Sequence, residues 1–206
     1  MIEVELKFLL TNEEERRLLD NAVYLETQDF VDVYYDNQEY NLSTQDIWLR
    51  TRNDKFVLKL PIQTTNTSLA EQNNTPKLEI EELDNILMHL NITPAISISD
   101  DLKAHGILPR YEFRNIRKKY KKDDFVIDID KAIFDDFIYE TCEIELVVDS
   151  EEDISDATQR IENFAMEHGI KIGNVEGRLI EYIRRKNPLH YQKLLHASQQ
   201  KVAIVI

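Results

Sequence analysis

The feature that most constrains this 206-residue chain is the alternation inside its β-prone segments, where every second side chain is charged. A strand sends residues i, i+2 and i+4 to one face. Along residues 2–8, Glu3, Glu5 and Lys7 share a face opposite Ile2, Val4, Leu6 and Phe8. Along 46–52, Trp48, Arg50 and Arg52 oppose Ile47 and Leu49, and along 55–60 Lys59 points away from Phe56, Leu58 and Leu60. Asp128 and Asp130 oppose Ile127 and Ile129; Glu143 and Glu145 oppose Cys142, Ile144 and Leu146. A sheet with one solvated face is the ordinary source of such a pattern. Solvated faces, however, mix charge and neutral polar groups freely, whereas these acids come in i, i+2 pairs and the arginines do likewise. Like charges two residues apart repel unless something lies between them. Paired carboxylates suit hard divalent cations, and paired guanidinium groups suit the bidentate capture of phosphate oxygens. A closed or strongly curved sheet would turn these faces inward, giving a polar-lined barrel for a metal and a polyphosphate.

The remaining pattern predicts an antiparallel α+β chain. Thr11 followed by Glu14 is a capping box ahead of a helix carrying Leu18, Leu19 and Ala22. Strands are predicted over 29–36, 46–52 and 55–60, with Asn53-Asp54 as the hairpin turn, and over 78–83, 112–120, 124–131 and 140–148. Short helices are predicted from Asp84 to Leu90 and after Ser99, and longer ones up to His168, over 178–186 and over 189–197. The polar stretch 63–77 has no periodicity and reads as a loop, a lid over a cleft mouth being its functional reading. The apolar tail 202–206 is expected to pack on the body or on a partner. With 4 glycines and 5 prolines, nothing marks a linker, and residues 1–206 read as one domain.

Composition removes several classes of function. Lys plus Arg is 25 against 39 Asp plus Glu, a formal net charge of −14, which argues against a nucleic-acid binder. A hydrophobic content of 42% excludes a disordered chain. No apolar run is long enough for a membrane span, and no signal-peptide pattern opens the chain, so a cytoplasmic protein is expected. The single cysteine, Cys142, excludes an intrachain disulfide and reads as a small core residue. The five histidines are scattered, and none is assigned a role. No glycine-rich phosphate loop is present.

The run Glu3-Val4-Glu5-Leu6-Lys7 resembles the ExExK signature of the CYTH, or triphosphate tunnel metalloenzyme, superfamily. Tyr34-Tyr35-Asp36, Trp48-Leu49-Arg50-Thr51-Arg52, Leu58-Lys59, Arg117, Asp128-Ile129-Asp130 and Glu143-Ile144-Glu145 follow in that family's order, over nearly the whole chain. Within the superfamily the chain looks most like thiamine triphosphatases. Three features carry that likeness: residues 33–37 ahead of the Trp-Leu-Arg-x-Arg run, Trp48 itself, and the run from Arg178 to Leu195.

The resemblance implies an eight-stranded antiparallel β-barrel forming a tunnel, with helices packed outside. It implies Mg²⁺, with Mn²⁺ as the alternative, on Glu3, Glu5, Asp128, Glu143 and Glu145. It places the triphosphate on Lys7, Arg50, Arg52, Lys59 and Arg117, and on Arg178, where the family has a lysine. Asp130 goes with this set, the metal or the Lys/Arg cage being its other possible partners. Glu5 and Lys59 take the catalytic positions, and Trp48 stacks on the organic moiety, a barrel-mouth core residue being its other reading. The implied reaction is hydrolysis of a small-molecule triphosphate, foremost thiamine triphosphate. An inorganic triphosphatase and a class IV adenylyl cyclase are the alternatives. No membrane or nucleic-acid partner is implied, and a monomer or homodimer is expected. At residues 79–82 alternation favours Glu79 and Glu81 facing inward, whereas likeness to thiamine triphosphatases favours Glu82.

Overall fold

The computed structural model describes residues 2–62 and 77–203. The lid reading of 63–77 and the end of the apolar tail therefore fall largely outside the described residues. The strands are β1 (Ile2–Phe8), β2 (Val23–Asp36), β3 (Trp48–Arg52), β4 (Lys55–Pro61), β5 (Lys77–Ile80), β6 (Leu108–Lys122), β7 (Phe125–Ile133) and β8 (Ile138–Val148). The helices are α1 (Asn12–Leu19), α2 (Leu83–His89), α3 (Ile98–Ala104), α4 (Ile154–Glu167), α5 (Arg178–Lys186) and α6 (Pro188–Ala203).

All eight strands join one antiparallel sheet in the order β1-β8-β7-β6-β2-β3-β4-β5. Its two end strands, β1 and β5, approach each other, so the sheet is a nearly closed barrel. Twist accumulated across a sheet of this size coils it toward closure.

The alternation sorts the two faces of this barrel. Outside β1, β7 and β8, Val4, Leu6, Phe8, Ile127, Cys142, Ile144 and Leu146 pack under Leu18 of α1 and under Ala157, Ile161, Phe164 and Ala165 of α4. Outside β3 and β4, Leu49, Phe56 and Leu58 pack under Ile86 and Leu87 of α2 and Leu102 of α3. Each fully buried Leu, Ile or Phe stabilises such a layer by about 1.5–3 kcal/mol. A third cluster sits on the inner face, where Phe113 of β6 and Ala132 of β7 meet Leu179, Ile180 and Ile183 of α5 and Leu194 of α6. These two helices thus cover one end of the interior. Cys142 is a free, buried thiol in the first layer, as its sequence setting implies.

Boundaries differ from the sequence expectation where Asn or Asp takes a glycine-like backbone. α1 stops at Leu19 because Asn21 (φ 60°) turns the chain straight into β2, which begins at Val23 rather than at 29. β3 begins at Trp48 rather than 46 because Asp46 is left-handed (φ 65°). The Asn53-Asp54 hairpin forms without glycine, both residues having positive φ (46° and 66°). Thr11 and Glu14 make the expected reciprocal cap of α1. The cap of α3 is Ser97 rather than Ser99, its Oγ accepting from Asp100 N at 3.2 Å.

Candidate active site

The inner face bounds a cavity opening onto ≈ 970 Å³ of non-protein space, solvent at its mouth included. Glu3, Glu5, Lys7, Trp48, Arg50, Arg52, Lys59, Arg117, Glu143, Glu145 and Arg178 all line it. They come from five strands and the first residue of α5. Only barrel closure brings them together.

Strand register builds an acidic flank. Glu5 stands opposite Glu145 and Lys7 opposite Glu143 across β1 and β8, and Asp128 stands opposite Glu143 across β7 and β8. One oxygen each from Glu3, Glu5 and Glu145 lie within 4.8 Å of one another, and so do oxygens of Asp128, Glu143 and Glu145. Glu145 belongs to both groups. Its burial, with Glu3, Asp128 and Glu143 alongside, pushes its pKa up to about 10. Burial also raises Glu143, but Arg178, Arg117 and Lys7 outweigh it and hold this carboxyl well below the usual range. Glu5 is likewise held low against its burial, by Lys7. A group of carboxylates so crowded that the pKa of one is pushed up has the donor chemistry of a divalent-cation site: several hard oxygens converging on one place.

Cations are interleaved with these acids and are held ready by carboxylates. Arg117 grips Asp130 with two bonds (2.7 and 2.6 Å) and reaches Glu143 and Asp128, each at 2.5 Å. Arg178 lies 2.6 Å from Asp130 and 3.6 Å from Glu143, so the arginine at this position engages two of the expected site carboxylates. Lys59 pairs with Glu79 at 2.5 Å. Glu79 therefore faces inward, and the alternation settles the ambiguity at 79–82: β5 ends at Ile80, before Glu81 and Glu82. Asp130 does not line the cavity. Wholly buried, it gives both oxygens to Arg117 and Arg178, so of its three possible partners it takes the Lys/Arg cage rather than the substrate face.

Trp48 lines the cavity beside Leu179 and Ile180 and packs on the third core cluster. Its Nε1 donates to Asp46 Oδ1 at 2.8 Å.

Sequence reasoning passed over several members. Asp32 of β2 is fully buried, accepts two bonds from Arg52 (2.9 and 3.1 Å), lies 3.8 Å from Arg50, and accepts from Asn115 at 3.0 Å. Lys119 contacts Asp128 at 2.8 Å and Glu145 at 3.6 Å. Lys77 and Tyr34 also line the cavity. The signal was present for each: Asp32 shares its face with Tyr34, Lys119 with Arg117, and Lys77 with Glu79. Among the described residues Arg50 Nε and Asn115 Oδ1 are buried without a hydrogen-bond partner, and Arg50 is a cavity-lining cation. An unsatisfied guanidinium N–H at such a wall suits an anionic ligand.

Carboxylate pairs and Lys and Arg side chains thus line one cavity of an eight-stranded antiparallel barrel. Residues 1–180 match the CYTH domain family, and the chain belongs to it. Human thiamine-triphosphatase is 28% identical over 98% of this chain and 92% of its own length, and the Macaca fascicularis enzyme of the same name matches to the same extent. A solved Pyrococcus horikoshii protein shares the fold at a TM-score of 0.59 and 19% identity, covering 89% of this chain and 99% of its own. A Hippeastrum protein, studied as an adenylyl cyclase and described as having a dominant triphosphatase activity, superposes at a TM-score of 0.53 with 18% identity over 89% of this chain and 95% of its own. Among the described residues no helix is long and apolar enough to cross a membrane.

Proposed function

We propose that residues 1–206 form one CYTH-type domain that hydrolyses the terminal phosphate of a small-molecule triphosphate, with thiamine triphosphate as the substrate and Mg²⁺ as the metal. The observation that carries this reading is the mixed cavity wall: carboxylates from β1 and β8 line it together with cations from β1, β3, β4, β6 and α5, and Asp128 of β7 lies within reach of Glu143 and Glu145. Glu3, Glu5, Asp128, Glu143 and Glu145 would hold the metal, which when bound supplies Lewis-acid neutralisation of phosphate charge. Carboxylates committed in this way would loosen their hold on Lys7 and on the Asp128 and Glu143 side of Arg117, while Asp130 keeps Arg117 and Arg178 in place. Those cations, with Arg50, Arg52 and Lys59, then take the phosphate oxygens and fix the terminal phosphorus for in-line attack by water. Lys59 presents its ammonium where charge develops, and Glu5, held ionised by Lys7, orients the water. Trp48 offers an indole face to the cationic thiazolium, a contact of about 0.5–2 kcal/mol.

The test is kcat/KM for phosphate release with Mg²⁺ from thiamine triphosphate, tripolyphosphate and ATP, with cyclic AMP assayed in parallel. Preference for thiamine triphosphate, lost on Trp48→Leu, supports the proposal. Equal or better use of tripolyphosphate reassigns the protein as an inorganic triphosphatase, and cyclic AMP as the main product reassigns it as a cyclase.

A further inference from the structure

The indole of Trp48 is not held by packing alone. Its N–H ends on Asp46 Oδ1 at 2.8 Å, and the other oxygen of the same carboxylate takes the ammonium of Lys77 from β5. Asp46 is itself buried, 6% exposed, and sits at a left-handed position (φ 65°) closing a 3₁₀ turn over Ser43–Gln45. That turn is rigid for a visible reason. Asp36, at the end of β2, accepts from the backbone N–H groups of Asn37, Leu42 and Ser43 and from Ser43 Oγ (2.6 Å). His190 of α6 bonds Ser43 Oγ from the other side at 2.8 Å. Polar contacts thus run from the barrel and a C-terminal helix to Ser43, from the backbone N–H of Asp46 to Ser43 O at 3.0 Å, and from the Asp46 carboxylate to the ring edge.

We propose that Asp46 is the positioning residue of the aromatic platform: it sets the plane of the Trp48 ring, and with it the selectivity for a triphosphate bearing an organic cation over a bare polyphosphate. The inference rests on the reading of Trp48 as a stacking surface, and goes beyond it by assigning the residue that orients that surface. Two torsions govern a tryptophan side chain, and a hydrogen bond at Nε1 fixes the one that packing leaves soft. Asp46 touches both the ring of Trp48 and the ammonium of Lys77, and Lys77 is not among the cations assigned to the phosphate. Its removal therefore weighs on substrates that stack and spares those that do not.

Trp48 is the only tryptophan of the chain, so its fluorescence reads the ring directly. The experiment compares the parent protein with Asp46→Ala, Asp46→Asn and Trp48→Leu, using emission maximum and time-resolved anisotropy without substrate, and steady-state kinetics with thiamine triphosphate and tripolyphosphate. Asn keeps an oxygen acceptor and tolerates the left-handed backbone, whereas Ala lacks the acceptor. In Asp46→Ala the expected results are a fast anisotropy component and a kcat/KM for thiamine triphosphate lower by about tenfold, mostly through KM, with tripolyphosphate within about twofold. Asp46→Asn restores most of both. Unchanged anisotropy in Asp46→Ala overturns the proposal, and so does an equal loss on both substrates, which marks a merely structural role. Trp48→Leu separates the two readings. If it leaves thiamine triphosphate turnover intact, the stacking reading and the selectivity assigned to Asp46 both fail, while a mobile ring in Asp46→Ala still shows that Asp46 orients the indole.

Discussion

Asp32 has no exposed surface and spends both oxygens on arginines. Burial alone would raise its pKa, but Arg52 and Arg50 hold it below the usual value. The guanidinium of Arg52 is sandwiched between this carboxylate and the ring of Phe30, 3.9 Å from the ring centre. Asp32→Asn keeps the shape and removes the charge that aligns both forks. The expected outcome is a KM for tripolyphosphate higher by about tenfold with kcat within about threefold, measured by phosphate release. Glu145 presents the opposite case. It is a carboxyl pushed toward protonation by burial and by its neighbours, so Glu145→Gln mimics the neutral form favoured in the metal-free protein. That variant is expected to melt at or above the parent's temperature, to lose the rise in Tm on adding Mg²⁺, and to lose turnover by at least about 100-fold. A parent-like Mg²⁺ response in this variant would remove Glu145 from the metal set.

At the scale of elements, the chain makes its turns with Asn and Asp in place of glycine. Asn21, Asp46, Asn53, Asp54, Asn91 and Asp123 all have positive φ. Such residues enter the left-handed region more readily than other L-residues, though glycine enters it more readily still. The β3–β4 hairpin gives a clean test, because Asp54 makes none of the side-chain hydrogen bonds described around it, whereas Asn53 Oδ1 accepts from Val31 N at 3.2 Å. Asp54→Gly is expected to stabilise the protein by about 0.5–1 kcal/mol in urea melts with activity unchanged, while Asn53→Gly gains less because that bond is lost. This use of Asn and Asp also explains why strand existence was legible in the sequence while strand ends were not. Alternation of side chains reports the pleat, but an Asp can sit in a strand, cap a helix or take a left-handed turn, and only its neighbours in space decide which.

For the molecule as a whole, a buried histidine adds polar contacts to the apolar packing that fastens the C-terminal helices to the barrel. His190 is 1% exposed, bonds Ser43 Oγ at 2.8 Å and Tyr111 Oη at 2.7 Å, and stacks on Tyr40. Burial, with Lys193 and Arg110 nearby, lowers its pKa from 6.5 to about 4. Between those two values the unfolded chain binds a proton that the folded protein refuses. Stability from this group is therefore full above about pH 6.5, falls as the pH drops toward 4, and levels off below. Melts from pH 7 to 4 are expected to show the parent losing on the order of 1–3 kcal/mol more than His190→Gln over that window. Equal losses in the two proteins would refute the assignment.

The charged faces of β1, β3, β4, β7 and β8 were readable from residue order, because a period of two is a local property of the backbone. So were the helix cap at Thr11, the buried setting of Cys142 and the inward side of Glu79. The membership of Glu3, Arg50, Lys59, Glu145 and Arg178 in one cavity could be expected from sequence only through likeness to a family, since no local rule relates residues that far apart. The tertiary structure decided what pairing decides. Asp130 went into the cage because two arginines converge on it, and Asp32 and Lys119 entered the site because β2 and β6 lie side by side and next to the strands they serve. Asp46 met Trp48 and Lys77 because a left-handed turn aims its carboxylate at the cavity mouth. Sequence carries the face on which a side chain lies; closure of the sheet decides which charges it meets there.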